Sequence, residues 1–193
     1  MNKLFKHWLF LVTRPPLLLI GLTGHLMYQS LFAKGDRQRA ERREMQLAAS
    51  VRKIFSFLFI DNSARIVDRD PTLKFPPPFD LAYVFVVKAN IAYRFLRGRD
   101  EEAVSLRLAG TDDGWNELSL VLGLVDAPEQ VKVGSIDGFY AASRLLRSNL
   151  EAIEEAFSEA HYPELREKLD DWYARQKIRL KALSTELNRQ LYG

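Results

Sequence analysis

The side chains of this 193-residue chain that are equipped for acid–base or metal chemistry are four carboxylate pairs, Asp68/Asp70, Asp112/Asp113, Glu154/Glu155 and Asp170/Asp171, and three histidines, His7, His25 and His161. Paired carboxylates do catalytic or cation-binding work when a histidine, further ligands or an apolar wall fixes them and moves their pKa values. Here each pair falls in a turn or on the expected solvated face of a helix, with no histidine or glycine-rich phosphate loop beside it. The histidines fall in a basic N-terminal segment, in an apolar run and at a corner between helices, so neither a metal set nor a nucleophilic triad can be assembled from them. Gly98 and Gly134 lack the spacing of a dinucleotide or phosphate-loop fingerprint. The chain has no cysteine, which excludes disulfides, thiolate metal sites and cysteine nucleophiles and leaves the redox character of the compartment open. These residues predict a protein that is not an enzyme and that needs no cofactor or metal.

The elements that would position a non-catalytic surface begin with an N-terminus free of acidic side chains until Asp36. An apolar run from Pro15 to Ala33 is flanked by Lys3, Lys6 and Arg14 on one side and by Lys34, Arg37 and Arg39 on the other. As a helix it would reach roughly 28 Å, close to the thickness of a bilayer's hydrocarbon core. The run predicts a retained transmembrane helix over 15–33, because Ser30 and Ala33 form a poor small-x-small cleavage signal. Residues 1–14, basic and aromatic, read as an interfacial or targeting segment, with Pro15 and Pro16 at the bend and Trp8 in the interfacial belt. Within the span, Gly21 and Gly24 supply a small-residue patch for a partner helix, and His25 with Gln29 adds a polar turn on a related face. The alternative for His25 and Gln29 is a position near the headgroups.

Mean hydropathy of −0.19 fits one span plus a water-exposed domain and excludes a polytopic protein. The formal charge of +3 comes largely from the N-terminus and from "KGDRQRAERR". Placed just past an apolar run, Arg37, Arg39, Arg42 and Arg43 suit lipid headgroups, so membrane lipids and integral membrane subunits are the expected partners and nucleic acid is not.

Past Asp36 the expected fold class is α+β, a small antiparallel sheet packed on helices over 36–126 followed by a C-terminal helical hairpin over 134–193. Met45, Leu47, Val51, Ile54, Phe55 and Leu58 recur at helical spacing from Asp36 to Ile60. Turn residues then surround a short strand, Ala64 to Val67, and Pro76 to Pro78 form a stiff connector. The period changes to two in "DLAYVFVVKAN", "YRFLRGRD" and "EEAVSLRLAG", and "WNELSLVLGLV" continues it, so Ala103–Gly110 and Trp115–Val125 are expected to pair as a hairpin across "TDDG" with a leucine face packed on a helix. Phe139, Ser143, Leu146, Leu150, Ile153 and Phe157 mark one helix, with Ser135 as its N-cap. After the "HYP" corner, Leu165, Leu169, Trp172, Gln176, Leu180, Leu183, Leu187 and Leu191 mark a second. The two stripes should cover each other as a helical hairpin, with Trp172, Leu180 and Leu187 offered to another subunit where they are not covered.

The order of span, helix and "RFLRGRDEEAVSLRLAGTDDGWNELSLVLGLV" resembles the family of cytochrome oxidase assembly factors and the related accessory subunit of the mitochondrial presequence translocase. Gly98, Ala103, Val104, Leu106, Trp115 and Leu118 carry the likeness, over roughly residues 15 to 126. The helices after Gly134 are an addition to that pattern. The basic residues after the span favour a soluble part on the matrix or cytoplasmic side, whereas the resemblance implies the intermembrane space. The resemblance implies a non-catalytic accessory or assembly subunit that holds together the membrane subunits of a respiratory or translocation complex, most simply a respiratory complex of the mitochondrial inner membrane. The alternatives are a bacterial inner-membrane component of a secretion or conjugation assembly and a peripheral lipid-binding protein.

Overall fold

The structure, a computed structural model, describes residues 38–61, 63–67, 81–125 and 136–192. The expected span, with Gly21, Gly24, His25 and Arg37, lies outside them, as does the proposed N-cap Ser135. Among the described residues no helix is long and apolar enough to cross a membrane. The chain divides into two compact units at Arg43, and the fold below is that of the second, Glu44–Gly193.

Helix α1 covers residues 38–54, of which those from Glu44 on belong to this unit, and closes in a 3₁₀ turn, Ser56–Phe59. Four antiparallel strands follow, β1 (Ala64–Val67), β2 (Ala82–Lys88), β3 (Ile91–Arg97) and β4 (Glu102–Leu108), and the two-residue β5 (Asn116–Glu117) completes a five-stranded sheet in sequential order. The helices are α2 (Leu118–Leu124), α3 (Gly138–Ser148), α4 (Leu150–Ala156) and α5 (Tyr162–Tyr192). The α+β class with an antiparallel sheet therefore holds.

Alternation sets the register of the central strands. Val84, Phe95 and Val104 stand opposite one another on one face, as do Val86, Tyr93 and Leu106, and all are buried. Helices cover this face: the ring of Phe55, just past α1, lies 4.6 Å from that of Phe95 and 5.8 Å from that of Phe139 on α3. One buried cluster runs from Leu47 through the sheet to Leu165 and Leu169. The opposite face of the sheet is also covered at its centre. Trp115 crosses it with the guanidinium carbon of Arg94 4.9 Å and that of Arg107 4.5 Å from its ring centroid, and Ser105 and Arg107 are buried.

Four expectations need correction. The tryptophan-led segment is not a long strand. It pairs with β4 only through Asn116 and Glu117, opposite Leu106 and Ser105, and then turns into α2. "LSLVLGL" carries leucine at every second position, yet Leu118, Ser119, Leu120, Val121 and Leu122 are all buried. A segment enclosed on nearly every side shows no alternation between faces, and leucine's helix preference then decides its form. The stripe from Phe139 to Phe157 is two helices, because Asn149 stops α3. Its side-chain amide donates to the carbonyl of Leu145 at 2.8 Å, and its backbone N–H donates to the same carbonyl at 3.1 Å. Finally, α5 does not lie along its predecessors for its whole length. Met45, expected in the stripe of α1, is exposed as well.

Candidate interaction surface

The turn between β4 and β5 seats the first turns of α5. Asp113, which the sequence places in a solvated turn, is largely shielded: it accepts a hydrogen bond from the Tyr162 hydroxyl at 2.7 Å and pairs with the Arg166 guanidinium. Burial raises the pKa of this carboxyl, but the hydrogen bonds from Tyr162 and Thr111 and the charge of Arg166 outweigh it and hold the group below the usual carboxylate range. Burial and the same partner push the Tyr162 phenol up to about 12. Leu165 and Leu169 are buried at 3 % and 4 % exposure, Trp172 packs against the core, and the Tyr173 hydroxyl donates to Asn116 Oδ1 at 3.2 Å. Among the described residues the domain thus shields α5 from Tyr162 to Gln176.

Beyond Gln176 every described side chain of α5 is exposed. The helix covers 31 residues, about 46 Å at 1.5 Å per residue, so more than a third of its length is unsupported by its own domain. Leu180, Leu183 and Leu187 stand 64 %, 57 % and 56 % exposed. At 100° per residue they fall in the same angular sector as Leu165, Leu169 and Trp172. The apolar face that is core near the domain is therefore open surface further along. The expected stripe is present, but its second half meets no helix among the described residues.

Arg39, Arg42 and Arg43 are exposed on α1, and they lie in the first unit. Of the other paired carboxylates, Glu154 is a structural anchor: its Oε1 accepts from Lys88 Nζ at 2.7 Å, and Asp61 stands 3.7 Å from the same ammonium. The hydrogen bond to Glu154 raises the Lys88 pKa in spite of burial. Burial raises that of the enclosed Tyr93 phenol too. Glu155, Asp170 and Asp171 are exposed, while Asp68 and Asp70 lie outside the described residues. His161 Nδ1 lies 3.1 Å from Ser158 Oγ at the corner before α5. Among the described residues no three histidine or acidic side chains gather into a metal-binding group.

The role of Glu102 had no signal in the sequence. Its Oε1 accepts from Arg97 Nε at 2.8 Å and its Oε2 from the backbone N–H of Phe139 at 2.9 Å, so a strand residue caps the start of α3. Asp113 is similarly hidden, since Tyr162 and Arg166 are distant in sequence and come together at this turn only in the fold. Set against protein-family models, curated proteins and solved structures, the chain matches none of them.

Proposed function

We propose that the protein is a non-catalytic accessory or assembly subunit of a membrane protein complex, tethered through residues 15–33 and joined to other subunits by protein–protein contact. The observation that carries this reading is the leucine stripe of α5, a continuation of the domain's own buried face held out in solvent at Leu180, Leu183 and Leu187. A soluble monomer gains nothing from such a stripe, whereas contiguous apolar surface rimmed by charge is what an interface requires. The apolar, acid-free N-terminus supports the tether, with Gly21, Gly24 and His25 as the packing face for an integral membrane partner and the arginines from Arg37 to Arg43 at the headgroups.

Placement in the mitochondrial inner membrane rests on the resemblance alone. Five basic residues just past the run, Lys34, Arg37, Arg39, Arg42 and Arg43, favour the matrix or cytoplasmic side by the positive-inside rule, and a bacterial inner-membrane component of a secretion or conjugation assembly with the same layout is the second reading. Two measurements test the proposal. The full chain should resist alkaline carbonate extraction, and release into the supernatant would identify a peripheral protein instead. A native pull-down should recover integral membrane subunits, and recovery of soluble enzymes alone would overturn the accessory-subunit reading.

A further inference from the structure

From Tyr173, at the domain's edge, outward, α5 has a register as well as a stripe. Tyr173, Gln176, Leu180, Leu183, Leu187 and Gln190 are spaced 3, 4, 3, 4 and 3 residues apart, the alternation of core positions in a two-helix coiled coil. Resting on the reading of α5 as an interface, we infer that what it meets is a second copy of this chain, aligned antiparallel so that Leu180 of each copy packs on Leu183 of the other.

Charge fixes the direction. In antiparallel alignment, Gln176 faces Leu187 of the second copy, and Tyr173 faces Gln190. Arg179, one residue before Leu180, comes opposite Glu186 of the second copy, three residues after Leu183. Twofold symmetry repeats that pair, so the seam is flanked by two Arg179–Glu186 pairs. A parallel arrangement brings Arg179 opposite Ser184, stacks Gln176 on Gln176 and forms no opposite-charge pair along the seam. Glu186 Oε1 now accepts from Arg189 and from Gln190 Nε2, each at 2.9 Å on its own helix, exposed contacts that are easily exchanged.

The length also fits. The domain's last hydrogen bond to α5 is that of the Tyr173 hydroxyl, so the overlap from Tyr173 to Gln190 begins at the domain's edge, where Gln176 is half-buried, and from Lys177 on uses the projecting part, leaving the two domains at opposite ends of the seam. Three leucines per helix with the aliphatic parts of their neighbours would remove on the order of 1,000 Å² from water, at the low end for a specific interface. Association should therefore depend on concentration and be assisted by confinement to a membrane plane.

The test is sedimentation equilibrium of the full chain in density-matched detergent, with a charge-reversal cycle. The parent should pass from monomer to dimer as concentration rises. Arg179→Glu and Glu186→Arg should each weaken association about tenfold, because each places two like-charge pairs along the seam, and the double variant should restore it. Leu183→Glu should abolish the dimer without moving the domain's thermal transition. A chain that stays monomeric throughout, a dimer that survives Leu183→Glu, or a double variant no better than the singles would overturn the inference. Recovery of membrane subunits by a monomeric chain would at the same time leave the accessory-subunit proposal standing.

Discussion

Asp113→Ala is the most direct probe of how the domain holds its long helix. The substitution removes the acceptor of the 2.7 Å hydrogen bond from Tyr162 and the partner of Arg166. A hydrogen bond to a charged acceptor contributes about 1.5–3 kcal/mol, toward the lower end here because Tyr162 is half-buried and water can replace the lost partner. The Arg166 side chain is 49 % exposed, so its pairing is screened by water and adds little to that contribution. The expected loss is about 2 kcal/mol, or roughly 4–8 °C in melting temperature for a unit of this size. Leu165 and Leu169 remain buried, so the helix should stay docked, with hydrogen exchange accelerated over its first turns rather than across the sheet. The pH dependence has a definite sign. A carboxyl whose pKa is lowered by folding stabilises fully above its ordinary value near 3.8 and loses that contribution as pH falls through the folded-state value. Melting temperatures of the parent and of Asp113→Asn should therefore differ at pH 7 and converge as the pH drops below that range. Equal melting temperatures at pH 7 would show that the contact does not hold the helix.

Glu154→Ala should destabilise more than Lys88→Met, by about 1–2 kcal/mol, because the first leaves a buried ammonium with only Asp61 at 3.7 Å while the second removes the charge and keeps the volume; denaturant midpoints in the reverse order would refute this. Ala89, first residue of the two-residue loop joining β2 to β3, has φ of 52°, and Ala89→Gly should raise stability by about 0.5 kcal/mol, since relief of the left-handed penalty exceeds glycine's entropic cost. A lower midpoint would show that the loop is unstrained. Gly21→Leu with Gly24→Leu makes the proposed span more apolar yet bulkier on its packing face, so the double variant should still resist carbonate extraction but be lost from the native complex. Undiminished co-purification would transfer the attachment to α5.

The central strands were legible because each places a helix-covered face under alternating apolar residues, as in β4 with Val104 and Leu106. The same signal misleads at "LSLVLGL", where burial all round α2 leaves periodicity with nothing to report. The break at Asn149 was hidden for a different reason. Leu150, Ile153 and Phe157 keep the phase of the preceding stripe, so apolar spacing runs unbroken through a residue whose side chain ends the helix. At the candidate surface, Trp172, Leu180 and Leu187 were legible as one face. Their different fates were not, because the pattern that makes a side chain core is the same whether its cover comes from its own domain or from another chain.

That ambiguity has an energetic consequence for α5. From Lys177 onward the helix has no tertiary support among the described residues, and what holds it is propensity and local pairing such as Arg189 with Glu186. Such i,i+3 pairs add only a few tenths of a kcal/mol each, and a free helical segment of this length is marginal in water. The segment is continuous with an anchored helix, which removes the nucleation cost and lets it propagate outward from Tyr173. Burial of Leu180, Leu183 and Leu187 against a partner would then stabilise the same residues that make the contact. Helix formation and association are therefore one linked equilibrium, and the anchor at Asp113 bears on assembly because it fixes the end from which the helix propagates.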